Sequence, residues 1–249
     1  MDSVIEQAVN KISEAAWCTA FTGAGISVES GVPPFRGENG LWNTYDPSIL
    51  ELDYFYKNPE KSWPVIKEIF YRHFTKAQPN EAHLLLAKME KEGILRTLIT
   101  QNIDDLHYRA GSRNVVEYHG NSRQLVCTSC GKKSAVSEEI ISANPPTCEC
   151  GGIYKPDFIF FGESIPFEAL EESGKVVEKT DCMILIGTTG EVYPAAMIPF
   201  EASRRGATII EINPKPSNYT EDITDIHIPR KAGEAGRILQ EALGLKEPH

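Results

Sequence analysis

Short apolar runs alternate with longer amphipathic segments along most of the chain. Apolar residues recur at helical spacing from Val4 to Ala15, which predicts an opening helix. Four apolar runs predict buried strands, at 15–23, 94–100, 182–187 and 207–213. Helical spacing predicts four further helices, at 61–76, 79–92, 194–205 and roughly 233–243. This alternation indicates an α/β protein with a mostly parallel sheet and helices on both of its faces.

Two stretches interrupt the alternation. Residues 37–76 are rich in aromatic side chains and show no strand pattern, and their helix at 61–76 is expected to hold Pro64 in its first turn. Residues 121–156 carry four of the six cysteines. We expect both stretches to be insertions that form a smaller domain. The large domain then consists of 1–36, 77–120 and 157–249.

Composition narrows the class of protein. The chain has 249 residues, of which 41% are hydrophobic and 24% charged, as in ordinary globular proteins. Its net charge of −10 disfavours general binding to nucleic acid or to anionic membranes. No apolar run reaches the ~20 residues that span a bilayer, and the first residues lack the apolar core of a signal peptide. We therefore expect a cytoplasmic protein with neither membrane nor nucleic acid as partner.

The clustered cysteines indicate a metal site. Cys127 and Cys130 form a C-x₂-C pair, and Cys148 and Cys150 form a C-x-C pair, one residue shorter than the common spacing. In a reducing compartment such a cluster suggests a metal more than disulfides. Four thiolates suit tetrahedral Zn²⁺ and leave no position open for substrate, so we expect a structural zinc. A redox site would need only one C-x-x-C pair.

The motif GAGISVESGVPPFRG at 23–37 follows the first buried strand. Gly23 and Gly25 permit positive φ and allow backbone amides to approach a phosphate closely. Val28 stands where the dinucleotide-binding fingerprint requires a third glycine, so a tight strand-to-helix turn is the alternative. Arg36 suits a phosphate partner, or is a surface cation.

Polar residues follow the next two predicted strands. In TQNIDDLH, Asn102 and Asp104 suit ligand binding; alternatively, Asn102 caps the next helix and Asp104 favours its first turn. His119 ends the short apolar run NVVEYH. It is a candidate general base near neutral pH, and a structural histidine is the alternative.

Three later segments are further candidates for ligand binding. KPDFIFFGE at 155–163 fits a core strand, or an extended edge that pairs with a peptide beside an aromatic tunnel. GTTGEVYP and INPKP follow the last two predicted strands and contain Thr188, Thr189 and Asn213, which suit hydrogen bonds to a ribose or phosphate. Because parallel strands end at one edge of a sheet, these segments should surround one crevice.

In this order the motifs resemble those of the sirtuins, the NAD-dependent protein-lysine deacylases. The matching segments are GAGIS, GVPPFRG, TQNIDDLHYRAG, YHGN, the four cysteines, KPDFIFFGE, GTTGEVYPAA, EINP and KAGE. The resemblance implies a Rossmann-like large domain and a smaller domain made of a zinc-ribbon insertion and a helical insertion. It also implies that NAD⁺ is consumed, that Zn²⁺ is structural and that the partner is an acyl-lysine protein or peptide. The implied products are nicotinamide, free lysine and O-acyl-ADP-ribose.

By motif position, the resemblance implies a role for each site residue. The catalytic residues would be His119, as the general base, Asn102 and Asp104. NAD⁺ would contact Gly23, Ala24, Gly25, Ser27, Phe35, Arg36, Gln101, Asn102, Ile103, Asp104, Gly187, Thr188, Thr189, Asn213 and Ala232. The acyl-lysine peptide would contact Ile159, Phe161, Gly162, Glu163 and Val192. Zinc would be bound by Cys127, Cys130, Cys148 and Cys150.

The acyl pocket is expected to be apolar. Relatives that prefer succinyl- or malonyl-lysine carry Tyr-x-x-Arg there, and alignment through Trp63 places Ile66 and Ile69 at those positions. An apolar pocket does not compensate a buried carboxylate, so we expect removal of acetyl or longer apolar acyl groups. We also expect a monomer.

Three other functions are considered. A mono-ADP-ribosyltransferase would transfer ADP-ribose to a protein nucleophile, and His119 beside the FFGE segment favours deacylation over it. A Rossmann oxidoreductase would use NAD as a hydride carrier, and the missing third glycine argues against it. A zinc-bearing module that only binds acylated tails or nucleic acid would show no turnover.

Overall fold

Two sheets organise the part of the chain that the computed structural model describes, residues 3–35, 40–72, 74 and 76–245. The strands are β1 (Cys18–Thr22), β2 (Leu95–Thr100), β3 (Val115–Glu117), β4 (Gly120–Cys127), β5 (Lys133–Ala135), β6 (Tyr154–Phe158), β7 (Cys182–Ile186), β8 (Thr208–Ile212) and β9 (Ile226–Ile228). The α-helices are α1 (Ser3–Glu14), α2 (Leu52–Lys57), α3 (Pro59–Ile66), α4 (Glu81–Lys91), α5 (Leu106–Ala110), α6 (Glu138–Ser142), α7 (Phe167–Val177), α8 (Met197–Arg204) and α9 (Ala232–Ala242). None of these helices is long and apolar enough to cross a membrane.

The large sheet has six parallel strands in the order β3-β2-β1-β7-β8-β9. Side chains of β1 and β7 alternate between its faces: Ala20 and Ile184 pack with α1, α4 and α9, whereas Phe21 and Leu185 pack with α7 and α8. The predicted α/β class, with helices on both faces of a mostly parallel sheet, is confirmed. The strand order reverses between β1 and β7, the position where open α/β sheets bind ligands.

The smaller domain combines both insertions around one apolar core. The antiparallel sheet β5-β4-β6 contributes Leu125 and Phe158, and the helical insertion contributes Phe55 and Trp63. The Trp63 indole Nε1 donates a hydrogen bond of 2.9 Å to the carbonyl of Tyr154 on β6. The insertions therefore pack against each other, and the expectation of one smaller domain is confirmed.

The helix expected at 61–76 differs from the observed one. Helix α3 begins two residues earlier, so Pro64 lies inside the helix and not in its first turn. Because proline has no amide hydrogen, the carbonyl of Glu60 loses its helical donor. It accepts instead from Nδ2 of Asn144, at 3.1 Å. After α3 the chain continues as a π-helical segment over Lys67–Arg72, where the prediction was an uninterrupted α-helix.

Candidate active site

A cleft of about 570 Å³ lies at the carboxyl edge of the large sheet, beside the ends of β1 and β7. The predicted base His119 lines it, as do most of the predicted NAD⁺ and peptide contacts: Gly23, Ala24, Gly25, Phe35, Gln101, Asn102, Ile103, Ile159, Phe161, Gly162, Glu163, Gly187, Thr188, Thr189, Val192, Asn213 and Ala232. Arg36 lies outside the described residues. The fold therefore gathers segments as far apart in sequence as Gly23 and Ala232 into one site.

The glycines of the first motif are required by close packing between two strand ends. Gly23 is extended, with φ −126°, and neither Gly23 nor Gly25 has positive φ, so that part of the prediction is wrong. Instead, the Gly25 amide donates to the Gly187 carbonyl at 2.8 Å, and a Cβ on Gly25 would lie 2.6 Å from the Gly187 Cα. Gly187 itself is left-handed, with φ 64°. The turns after β1 and β7 thus touch through their backbones and leave no room for a side chain between them.

Asn102 is held by the turn after β1. Its Nδ2 donates to the Gly23 carbonyl at 3.1 Å and to Ser27 Oγ at 3.3 Å, which leaves the acceptor Oδ1 for a ligand. Ser27 Oγ donates to Asp104 Oδ2 at 2.6 Å, and Asp104 Oδ1 accepts from the Leu106 amide at the start of α5. Asn102 therefore does not cap α5: the N-cap residue is Asp105, which makes no side-chain cap bond, and Asp104 bonds the first amide of the helix. Ser27 and Asp104 lie buried behind the cleft lining, so their predicted contacts with NAD⁺ stay predictions.

His119 faces the cleft with one ring nitrogen already committed. Its Nδ1 lies 3.1 Å from the carbonyl of Gln101, and since a carbonyl only accepts, Nδ1 carries the hydrogen. Burial lowers the pKa of His119 below its ordinary value of 6.5, although the bond to Gln101 opposes the shift. The ring is therefore neutral at pH 7 with its lone pair on Nε2, the form that a general base requires.

The segment after β6 borders the cleft as an extended edge. The alternative of a core strand holds only for the first part of 155–163, since β6 ends at Phe158 and the residues after it leave the strand. The Ile159 amide donates to the His119 carbonyl at 2.9 Å, and the Phe161 amide donates to the Leu50 carbonyl at 2.8 Å. The segment therefore joins the candidate base to the helical insertion.

Apolar side chains from the helical insertion form one wall of the cleft. This wall contains Trp42, Leu50 and Phe70, none of which was predicted as a site residue from the sequence. Ile66 and Ile69, which were expected there, are instead fully buried in the core of the smaller domain. They lie on the helix face that packs inward, while Phe70 reaches the cleft. The placement of the two isoleucines was wrong, but the apolar character of the wall agrees with the expectation.

The four clustered cysteines lie away from the cleft. Their Sγ atoms are all within 4.8 Å of one another, with Cys127–Cys150 at 3.5 Å and Cys130–Cys148 at 3.8 Å. A tetrahedron with Zn–S bonds of about 2.3 Å has edges of roughly 3.8 Å, so the donor set fits zinc despite the short C-x-C spacing. No member of the set lines the cleft. This separation supports a structural metal.

The model of the Sir2 family matches residues 23–194. The chain belongs to the Sir2 family. The resemblance to the sirtuins is thereby confirmed. A relative from Aeropyrum pernix, named NAD-dependent protein deacylase, is 42% identical over 98% of this chain and 99% of its own length. A relative from Pyrobaculum aerophilum, named NAD-dependent protein deacetylase 1, is 41% identical over 96% of this chain and 93% of its own.

Solved Sir2 structures share the complete fold. One Sir2 variant, solved with a deacetylated p53 peptide and 3′-O-acetyl-ADP-ribose, has a TM-score of 0.92 and 36% identity, covering 97% of this chain and 99% of that one. A Sir2 complex with a p53 peptide and NAD⁺ has a TM-score of 0.89 at 36% identity and the same coverage. The fold predicted from the resemblance, a Rossmann-like domain with a smaller insertion domain, is confirmed.

Behind the cleft of this Sir2 protein lies a buried histidine that the sequence left without a role. The Asn80 amide donates to His83 Nδ1 at 3.3 Å, which completes a capping box at the start of α4. His83 Nε2 therefore carries the hydrogen and faces Ser27 Oγ at 3.4 Å. Burial lowers the pKa of His83 from 6.5 to about 4. The folded protein thus keeps this ring neutral where an unfolded chain would protonate it.

His83→Gln is expected to make the protein less sensitive to acid. The pKa of His83 is about 4 in the folded protein and 6.5 in the unfolded chain. As the pH falls below 6.5, the unfolded chain therefore takes up a proton at His83 before the folded protein does, and the free energy of unfolding decreases. Linkage predicts that wild type loses about 2 kcal/mol more unfolding free energy than the variant between pH 7 and pH 5. Glutamine keeps the capping box, so denaturant unfolding at both pH values isolates the titration. Equal losses in the two proteins would refute this account.

Proposed function

We propose that this cleft removes acetyl and other apolar acyl groups from protein lysines, consuming NAD⁺ and releasing nicotinamide and O-acyl-ADP-ribose. The observation that carries the proposal is the convergence of His119 and five strand-end segments at the position where the sheet order reverses. Membership of the Sir2 family and relatives named NAD-dependent deacylase or deacetylase confirm the expected class of reaction. The Sir2 complex with a p53 peptide and NAD⁺ supports the two substrates, and the complex with deacetylated peptide and 3′-O-acetyl-ADP-ribose supports the products.

The cleft residues suit NAD⁺. Bound NAD⁺ supplies the ADP-ribose group that accepts the acyl chain. We assign the backbone of Gly23, Ala24 and Gly25 to the pyrophosphate. Glycine is needed at 23 and 25 because a Cβ there would collide with Gly187 of the turn after β7. Nearer the nicotinamide and ribose, we assign Ser27, Gln101, Asn102, Ile103 and Asp104. We also assign Phe35 and Arg36 as contacts of NAD⁺. At the adenosine end we assign Gly187, Thr188, Thr189, Asn213 and Ala232.

His119 is the general base in this proposal. The amide oxygen of the acyl-lysine would displace nicotinamide from C1′ of the ribose. Nε2 of His119 would then accept the proton of a ribose hydroxyl, whose oxygen adds to the acyl carbon, and water would complete the release of the lysine amine with the acyl group left on ADP-ribose. Nδ1, bonded to the Gln101 carbonyl, holds the ring in the required tautomer. Asn102 presents its Oδ1 to the nicotinamide side, and Asp104 fixes Asn102 through Ser27. Phe35, beside Phe70 in the apolar wall, keeps water from the reacting atoms.

The acyl-lysine peptide lies, we propose, between the segment after β6 and the turn after β7. Ile159, Phe161, Gly162 and Glu163 form one side and Val192 the other. The wall formed by Trp42, Leu50 and Phe70 carries no charge, which supports acetyl and longer apolar acyl groups over dicarboxylic ones.

One incubation tests this function against its rivals. The purified, zinc-loaded protein receives NAD⁺ and an acetyl-lysine peptide, and both products are identified by mass. Free lysine peptide with O-acetyl-ADP-ribose supports deacylation. A mass increase on a protein would indicate ADP-ribosyl transfer, growth of NADH absorbance would indicate an oxidoreductase, and binding without any product would indicate a binding module.

Glu211 organises the proposed adenosine end. Its carboxylate is fully buried and accepts hydrogen bonds from Ser217 at 2.5 Å, Thr220 at 2.7 Å, Thr224 at 2.8 Å and Asn213 Nδ2 at 3.0 Å. Burial raises the pKa of Glu211, but these donors outweigh it and the pKa is lowered. An ionised Glu211 therefore fixes the loop that carries Asn213.

Glu211→Gln is expected to raise the KM for NAD⁺ by about tenfold, the loss of roughly one hydrogen bond to a charged group. The amide places a donor among hydroxyls that now donate to a carboxylate, so the loop loosens around Asn213. Steady-state kinetics with NAD⁺ and with peptide measure the effect, and the peptide KM should change little. Glu221→Gln, an exposed carboxylate on the same loop, is the control. Equal NAD⁺ KM values for the two variants would contradict the assignment.

The remaining assignments concern the chain as a whole. We propose an NAD-binding domain of 1–36, 77–120 and 157–249, a helical module of 37–76 and a zinc-binding module of 121–156. The shared apolar core of the two insertions supports this division. A monomeric state and a cytoplasmic location stay predictions.

A further inference from the structure

Lys155 carries an ammonium group buried beneath the proposed peptide edge. The residue is only 4% exposed, which is unusual for a lysine unless its charge is paired. Its Nζ donates to the carbonyls of Pro156 at 2.9 Å and Phe158 at 2.7 Å, and to Glu163 Oε2 at 3.0 Å. The three hydrogens of the ammonium thus all have acceptors.

Together with Lys155, Glu163 holds the turn formed by Phe158–Glu163 through hydrogen bonds. Its Oε2 also accepts from the Phe160 amide at 2.9 Å, and the Lys155 ammonium lies 4.5 Å from the centre of the Phe160 ring. The ion pair therefore binds the start of the turn through the Phe158 carbonyl and its end through Glu163. Removing either partner would leave backbone groups without their acceptor or donor.

The turn Phe158–Glu163 connects His119, the proposed peptide edge and the helical insertion. The Ile159 amide bonds to the His119 carbonyl, and Phe161 pairs with the helical insertion through the Leu50 carbonyl at 2.8 Å and the Leu52 amide at 3.0 Å. A shift of the turn would therefore displace the edge offered to a peptide. Among the described residues, Lys155 shares no hydrogen bond with the residues assigned to the adenosine end.

We propose that Lys155 is a positioning residue for the acyl-lysine peptide: paired with Glu163, it fixes the shape of Phe158–Glu163 that the peptide binds. This inference rests on the proposed placement of the peptide along that segment. It also gives Glu163 a more specific task than the predicted contact with substrate. The Glu163 carboxylate acts through the turn, because its Oε2 is already bonded to Lys155 and Phe160.

Lys155→Met tests the inference, since methionine has similar length but no charge. The Kd for an acetyl-lysine peptide, measured by fluorescence anisotropy, should rise by about tenfold, while the KM for NAD⁺ and the zinc content stay as in wild type. Lys133→Met is the matched control. Lys133 lies on the same small sheet and pairs with Asp157 at 2.7 Å, but its side chain is 59% exposed. Its loss should leave the peptide Kd unchanged.

Glu163→Gln provides a second measurement if Lys155→Met does not fold. Glutamine keeps an acceptor for the Phe160 amide but removes the charge, so the peptide Kd should again rise while the KM for NAD⁺ does not. Unchanged peptide affinity in the folded variants, or equal losses for peptide and NAD⁺, would overturn the inference. If the proposed function were wrong, wild type would bind the peptide but would form no products. The comparison of peptide Kd values between wild type and variants would still decide the role of Lys155.

Discussion

His119→Ala is expected to lower kcat for deacylation by about 100- to 10,000-fold, the usual contribution of a general base. The reason lies in the geometry of the ring: Nδ1 is committed to the Gln101 carbonyl at 3.1 Å, so Nε2 is the only ring atom that can take a proton in the cleft. Alanine removes that acceptor but none of the backbone that the cleft presents to NAD⁺. Nicotinamide and free peptide are quantified against time, and the Kd values for NAD⁺ and peptide should stay close to wild type.

The pH dependence of kcat provides a control within the same experiment. Because burial holds the pKa of His119 below 6.5, wild type keeps its base unprotonated at pH 7 and loses activity only as pH falls through that lowered pKa. The residual activity of the alanine variant should show no such acid limb. Turnover within a few-fold of wild type, or an identical acid limb, would remove His119 from the mechanism and assign the proton transfer to another group.

The large sheet was predictable because its central strands are buried on both faces. Strands β1 and β7 consist of fully buried residues. In the sequence β7 is therefore a continuous apolar run, and β1 is one interrupted only by Thr19 and Thr22. Helix α7 was not predicted, because apolar and polar residues do not separate cleanly between its buried and exposed faces. It exposes Phe167 and Leu170, and its buried face includes Ser173, so its apolar residues do not follow one clean stripe. Strand β9 is only three residues long, too short for a recognisable pattern.

The candidate site was predictable where local motifs coincide with strand ends. Gln101, His119 and Thr188 each follow a strand closely, and parallel strands bring such residues to one edge. The wall formed by Trp42, Leu50 and Phe70 depends on how the helical insertion packs onto the small sheet, which no local pattern encodes. The same holds for Lys155, whose acceptors become neighbours only when the chain turns back after β6.

Cys127→Ala, or removal of zinc by a strong chelator, is expected to unfold the zinc-binding module and abolish deacylation. Structural zinc supplies about 10–16 kcal/mol in isolated zinc fingers, as much as the entire stability of many domains. Cys127 and Cys148 are also part of the apolar core that the two insertions share, so loss of the metal exposes that core. Circular dichroism during heating and metal analysis follow the loss.

Inactivation should follow even though the zinc ligands lie away from the cleft, because both long strands of the module enter the active site directly. Strand β4 begins at Gly120, the neighbour of His119, and β6 ends at Phe158, the neighbour of Ile159. A Cβ on Gly120 would lie 2.3 Å from the Asp157 carbonyl oxygen, so the backbones of β4 and β6 are in close contact next to His119. Cys18→Ala, a buried cysteine of β1 outside the cluster, is the control and should keep its zinc and its activity. If the chelated protein kept its activity and melting temperature, the metal would have no structural role and the position of His119 would depend on the large sheet alone.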